Sequence, residues 1–272
     1  MFVKRLLVTI ILLPIGIVAI SLGGWYFAAV VGLFVIGAAW EYGRLFHLAG
    51  LKPASAIIIA GTLLLLLTRL LHGFENAPAW LSLLILVSLT YHLVAYERGA
   101  GQSGTDFGIT LGGIFYLGWI GAYLISLRAL PDGKWWVFLV LPSVWFADIA
   151  AYLVGSRFGK HKMTPRLSPK KSWEGYFGGV IFGTLLTVAL AAGLQALAGP
   201  ASVITPQRGL WVGLVMCILP TLGDLGESMF KRQVGAKDSS NIIPGHGGFF
   251  DRVDSWLWAG VLGYYLITWL WL

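Results

Sequence analysis

Nine stretches of this 272-residue chain are apolar over lengths that reach, or nearly reach, across a hydrocarbon layer ~30 Å thick. They fall at about 6–22, 25–40, 55–71, 79–95, 108–127, 135–155, 174–197, 208–226 and 255–271. In lipid every backbone N–H and C=O must be satisfied within the chain, so apolar runs of this length fold as helices. The expected fold is all-α: a polytopic integral membrane protein with about nine transmembrane helices. The Gly23–Gly24 break separates the first two runs, which are short for full spans, so eight is the alternative. Composition agrees. Only 11% of residues are charged, against about 25% in soluble domains, too few to cover a globular surface. The 36 glycines suit helices that pack backbone to backbone, and Gly175, Gly179 and Gly183 read as one such stripe. The single cysteine, Cys217, cannot form an internal disulfide and reads as core filler. No small-residue cleavage site follows the first apolar run, so residues 6–22 are expected to be a retained span.

Lys and Arg placement sets the orientation. With the N-terminus in the cytoplasm and sides alternating, the cytoplasmic segments hold Lys4, Arg5, Arg44, Lys52, Arg98, Arg157, Lys160, Lys162, Arg166, Lys170, Lys171, Lys231, Arg232, Lys237 and Arg252. The opposite side holds Arg128, Lys134 and Arg208, and Arg69 lies in a span near that side, where it is expected to snorkel. The asymmetry supports nine spans and puts both long polar connections, 156–173 and 227–254, on the cytoplasmic face. Chemistry is expected there. The net charge of +7 then points to the lipid bilayer's anionic head groups or to phosphorylated small molecules, not to nucleic acid. The chain reads as one integrated membrane domain, with N-terminal helices over 1–130 and the motif-bearing region over 131–272.

The stretch from Asp224 to Asp254, DLGESMFKRQVGAKDSSNIIPGHGGFFDRVD, carries five carboxylates, four cationic side chains and one His between two spans. Asp224, Ser228 and Lys231 are spaced i, i+4, i+7 and Asp251 and Asp254 i, i+3, so each set shares a helix face. The run Pro244-Gly245-His246-Gly247-Gly248 precedes the last helix, where freed backbone and N-terminal amides favour a phosphate. Carboxylates that hold Mg²⁺ beside cations that neutralise phosphate charge are what nucleotidyl transfer requires. A solvated charged loop is the competing reading. A second block holds Asp148, about 10 Å inside its span at 1.5 Å per residue. An intramembrane carboxylate is a functional candidate by default, or the partner of a basic residue on another span. Ser168, Lys170 and Lys171 follow it, with Ser172 as an N-cap. They could grip phosphates or serve only as a topology signal. His92 reads as a helix-contact residue satisfied by a neighbour.

The pattern Ser228-x-x-Lys231-Arg232-x4-Lys237-Asp238-x5-Pro244-x-His246-Gly247-Gly248-x-x-Asp251-Arg252-x-Asp254 resembles the signature of the phosphatidate cytidylyltransferases. The block Asp148-Ile149-Ala150-Ala151-Tyr152, Gly155-x-x-Phe158-Gly159-Lys160-His161-Lys162 and Ser168-Pro169-Lys170-Lys171-Ser172-Trp173-Glu174-Gly175 is similar to the same family's middle region. The resemblance is close over residues 142–256. It implies the reaction of phosphatidate with CTP to give CDP-diacylglycerol and pyrophosphate, dependent on Mg²⁺, in the inner membrane of a bacterium with the active site facing the cytoplasm. It further implies a two-cation centre at Asp224 and Asp251, with Asp254, Asp238 and Asp148 in support. The phosphate-facing candidates are Lys170, Lys171, Lys231, Arg232, Lys237 and Arg252, joined by Ser168, Ser228, His246, Gly247 and Gly248. A homodimer is implied as well. The rival readings are a lipid transporter or flippase, for which no paired halves are visible, and a CTP-dependent enzyme acting on another lipid phosphate.

Overall fold

The computed structural model describes residues 2–199, 201–245 and 247–272, with side chains from residue 10 onward. The nine apolar runs are helical, but 108–127 is interrupted at Ala122 and the run expected as one helix over 208–226 is broken in two at Leu219–Pro220. The order is α1 (Phe2–Leu22), α2 (Gly24–Leu48), α3 (Ser55–His72), α4 (Ala77–Glu97), α5 (Ser103–Gly113) continuing through a π-helical segment Ile114–Trp119, then α6 (Tyr123–Ala129) and α7 (Gly133–Phe158). A short hairpin, β1 (Lys162–Thr164) and β2 (Ser168–Ser172), leads to α8 (Trp173–Ala198), α9 (Pro206–Ile218), α10 (Thr221–Gln233) and α11 (Phe250–Leu270). Among the described residues seven spans meet the length and apolarity needed to cross a membrane: α2, α3, α4, α5–α6, α7, α8 and α9–α10. The chain is therefore all-α and multi-pass. The expected count of nine is not reached by that measure, because only Ile10–Leu22 of α1 qualifies as a shorter apolar helix and α11 opens on Asp251, Arg252 and Asp254.

The chain divides into two compact units, Met1–Ser126 with Phe230–Asp254, and Leu127–Met229 with Ser255–Leu272. In the first, α2 buries Val35, Ala38, Tyr42, Leu45 and Phe46 while packing on α3 and the π-helical segment. Gly113, just before that segment, and Gly118 within it set how closely it approaches. A Cβ on Gly113 would meet Ile58 Cγ2 at 2.9 Å, and one on Gly118 the Thr62 Cα at 3.1 Å. Arg69 corrects its expectation. It is buried, stacked 3.6 Å from the Phe74 ring, near Trp119 and Tyr123, and bonded to Ser126 Oγ at 2.9 Å. Snorkelling would forfeit three cation–π contacts. His92 is buried and shares a 2.9 Å hydrogen bond with Thr110 Oγ1, as a helix-contact residue should.

In the second unit α7, α8 and α9 pack on one another. The stripe of Gly175, Gly179 and Gly183 faces α7. A Cβ at Gly179 would sit 2.8 Å from the Ala147 carbonyl oxygen, and one at Gly183 2.9 Å from Ala147 Cα and 2.8 Å from Cys217 Sγ. Cys217 is core filler, as expected. The 156–173 connection is not a plain loop. Its antiparallel hairpin pairs Lys162 with Ser172 and Thr164 with Ser168. Ser172 caps α8 by accepting from the Gly175 N–H at 3.2 Å, so the hairpin and the helix start share one residue.

Candidate active site

In the first unit the motif folds around the Lys231–Asp251 pair. α10 presents Lys231 and α11 opens with Asp251, and Lys231 Nζ donates to Asp251 Oδ1 at 2.6 Å. Both side chains are 9% exposed, which matters because a charge this dry needs its partner. Asp251 Oδ2 accepts from the Gly248 N–H at 2.8 Å, the Ser239 N–H at 3.1 Å and lies 2.7 Å from Ser239 Oγ. Burial would raise the Asp251 pKa. The Lys231 bond and the Gly248 and Ser239 donors outweigh it and hold the carboxyl at about 2. The turn that supplies these donors needs left-handed backbone, with φ +79° at both Gly245 and Gly247. It closes through a hydrogen bond from the Ile243 N–H to the Gly247 carbonyl at 2.9 Å.

The turn also bonds to a residue that the sequence reading passed over. Glu41 of α2 is fully buried. Its Oε1 accepts from Ser240 Oγ at 2.5 Å and the Phe249 N–H at 3.0 Å, and its Oε2 from the Phe250 N–H at 2.8 Å, with Ser239 Oγ also at 2.8 Å. The next residue, Tyr42, packs edge-on against Phe46, Phe230 and Phe250, so α2 holds both ends of the motif. Glu41 had one signal: a carboxylate between Trp40 and Tyr42, at the edge of an apolar run drawn to end at residue 40. The helix continues to Leu48, placing Glu41 inside it.

In the second unit Lys171 Nζ pairs with Asp224 Oδ2 at 2.5 Å, and Ser228 Oγ reaches Asp224 Oδ1 at 3.4 Å, one turn on, as the i, i+4 spacing predicts. A cavity of about 500 Å³ opens along α7 and α8, lined by Asp148, Tyr152, Lys162, Lys170, Lys171 and Tyr176 among others. An acidic residue and three lysines thus share one cavity wall. The hairpin is tied to α8 by Glu174, which accepts from the Lys160 and His161 N–H groups and pairs with His161 Nδ1 at 2.5 Å.

Arg232 Nη1 donates to the Ala236 carbonyl at 3.0 Å, and Lys237 and Arg252 are exposed. Asp238 lines a separate cavity of about 480 Å³ with Trp40 and Arg44. Ser168 opposes Thr164 in the hairpin. His246 lies outside the described residues. On α10, Asp224 and Glu227 form an acidic group, one turn apart, that could hold a metal ion. Its all-oxygen donor set suits a hard cation such as Mg²⁺. Asp224 belongs to both this group and the predicted metal pair, while Asp251 is engaged by Lys231.

Comparison with known proteins agrees with this picture. A family model described as the cytidylyltransferase family matches residues 3–270. The chain is 36% identical to the phosphatidate cytidylyltransferase of Pseudomonas aeruginosa over 269 residues, covering 94% of this chain and 93% of that protein. It is 31% identical to the enzyme of the same name from Synechocystis, covering 97% and 96%, and 31% identical to that of Mycobacterium bovis, covering 88% and 79%. With nearly its whole length matched, this chain belongs to the cytidylyltransferase family.

Proposed function

We propose that this protein is a membrane nucleotidyltransferase that joins CTP to phosphatidate, giving CDP-diacylglycerol and pyrophosphate. The observation that carries the reading is the buried Lys231–Asp251 pair set beneath the Gly247–Gly248 turn. It keeps a cation fixed before any substrate arrives, which is how charge developing on a transferred phosphoryl group is stabilised. The names of the relatives support the same substrates.

In the proposed reaction an oxygen of the phosphatidate phosphate attacks the α-phosphorus of CTP. The bond from that phosphorus to the bridging oxygen breaks, and pyrophosphate leaves with the electron pair. The attacking oxygen is already anionic near neutral pH, so no strong general base is needed, and catalysis rests on positioning and charge neutralisation. Lys162, Lys170 and Lys171, on the wall of the α7–α8 cavity, are suited to receive phosphate oxygens, and Asp148 on the same wall would orient those ammonium groups. Lys231, held by Asp251, would meet phosphate charge at the turn. Asp224, with Glu227 one turn on along α10, would hold Mg²⁺, while Asp251 would remain the partner of Lys231. When bound, the ion and any second cation would lower the negative charge on the phosphates. The Lys/Arg asymmetry supports an inner-membrane protein whose polar connections face the cytoplasm, where CTP is found.

The test is an assay of purified protein with labelled CTP and phosphatidate. A lipid-soluble cytidine product that EDTA abolishes is expected. Turnover unaffected by EDTA would remove the metal from the scheme. Absence of product across several lipid phosphates and detergents would favour a transporter.

A further inference from the structure

The reaction proposed above gives no role to Glu41, yet this carboxylate, 198 positions before Ser239, receives the motif directly. Among the described residues its hydrogen-bond donors come from the motif: the Ser239 and Ser240 hydroxyls and the Phe249 and Phe250 N–H groups. An ionised carboxylate has about four lone-pair sites, so these donors can fill them. The backbone donors are the amides at the start of α11, which have no partner inside their own helix. Negative charge at that end is also favoured by the helix dipole. Gly248 makes the approach feasible, since a Cβ there would collide with both Glu41 oxygens and Ser239 Oγ.

The Ser239 hydroxyl links this contact to the site. It lies 2.8 Å from Glu41 Oε2 and 2.7 Å from Asp251 Oδ2. Its single hydrogen serves one carboxylate at a time, so Glu41 influences how firmly Asp251 is held while Asp251 fixes Lys231. We infer that Glu41 is a positioning residue for the transferase site: from α2 it sets the Ser239–Ser240 turn and the first amides of α11, and through Ser239 it holds Asp251 in place to orient Lys231. The activity part of this inference rests on the transferase reading; the structural part does not.

Glu41→Gln is the sharpest test. A glutamine offers one oxygen, so in either orientation its NH₂ group faces the Phe249 or the Phe250 N–H, donor against donor. In detergent-solubilised full-length protein, hydrogen exchange over residues 247–253 should quicken by at least about tenfold. The kcat should fall by at least about 30-fold while the KM values for CTP and phosphatidate stay within about threefold, because misalignment harms reacting geometry more than binding. Ser239→Ala keeps the two amide bonds and cuts only the link to Asp251. Its exchange should stay near wild type while kcat falls by about tenfold, and the double variant should lose no more than Glu41→Gln alone, as expected for residues acting in series. If Glu41→Gln does not fold, Ser239→Ala and Ser240→Ala carry the test, since each deletes one donor and buries no new polar group.

Unchanged exchange in Glu41→Gln would overturn the inference. So would faster exchange with kcat and KM intact, which would leave Glu41 as a fold-stabilising residue only. Additive losses in the double variant would also overturn it. A wild-type protein that makes no CDP-diacylglycerol would sink the transferase reading instead, and the exchange arm would still report whether Glu41 holds the turn.

Discussion

The two basic regions of this molecule are built on opposite principles. The turn over 238–251 is anchored at nearly every polar atom that matters. Lys231 and Asp251 are 9% exposed and paired, Ser239 and Ser240 are buried, and Glu41 accepts from Ser240 Oγ and the Phe249 and Phe250 N–H groups with Ser239 Oγ beside it. The hairpin over 162–172 has an exposed strand edge, with Lys170 in solvent and Lys171 in an ion pair about a quarter exposed on its lysine side. The exposed Lys170 side chain keeps its rotamer freedom until a ligand orders it. The difference suggests a division of labour. Fixed, dehydrated charges suit work that needs exact placement, and mobile hydrated ones suit capture of a polyanion.

The largest effect should come from breaking the fixed pair. Lys231→Ala leaves Asp251 buried without its cation, and Asp251→Asn removes the charge that Lys231 Nζ bonds. Removing one partner of a buried pair costs about 3–5 kcal/mol, so each variant should lose both thermal stability and at least about 100-fold in turnover. The double replacement Lys231→Met with Asp251→Asn should recover stability but not activity. The pair should also resist acid. Asp251 titrates at about 2, below its usual 3.8, so its contribution is fully present above the unfolded value and lost only as pH falls from about 4 towards 2. Loss of folding near pH 5 in the wild type, absent in Asp251→Asn, would contradict this assignment.

A smaller, differently shaped effect is expected in the hairpin. Lys170→Ala should raise the apparent KM for CTP or phosphatidate by about 5- to 30-fold with little change in kcat or thermal stability, because a solvent-exposed cation contributes mainly attraction. Its contribution should weaken as salt rises from 50 to 500 mM, whereas the Lys231 effect should not, since exposed charges are screened and buried ones are not. If Lys170→Ala lowers kcat as deeply as Lys231→Ala and independently of salt, the division of labour fails.

Much of this arrangement was legible in the sequence, and what was not has a physical cause. Hydropathy located every long helix, because the requirement to satisfy the backbone in lipid leaves no alternative. The i, i+4 and i, i+7 spacings placed Ser228 and Lys231 on the Asp224 face of α10, because helix geometry is local. The glycine stripe and the Ser172 cap were legible for the same reason. Glu41 was not, because its partners lie some two hundred positions away and hydropathy reads a single carboxylate in an apolar run as its end. Arg69 was misread for a related reason. Burial in an aromatic cage depends on Phe74, Trp119 and Tyr123 meeting in space, which no local spacing reveals. The hairpin was missed because three- and five-residue strands are too short to show an alternating pattern.

The smallest effect, and the control on the whole comparison, belongs to carboxylates of short connections that are part of neither basic region. Glu75 lies in the turn between α3 and α4, exposed, its N–H donating to the His72 carbonyl at 3.1 Å. Asp132 precedes α7 in left-handed backbone, φ 55° and ψ 22°. Asparagine tolerates that conformation as well as aspartate does, so Asp132→Asn removes charge without straining the turn. Glu75→Gln is a matching change of charge at constant size. Beyond a Debye length of about 8 Å at physiological salt, a surface charge has little influence. Turnover, both KM values and thermal stability of these two variants should therefore stay within about twofold of wild type, since surface substitutions away from special features usually change stability by less than about 0.5 kcal/mol. A loss of tenfold or more in either variant, with folding intact, would mean that net charge rather than the two built clusters governs activity. The contrast between fixed and mobile cations would then have to be abandoned.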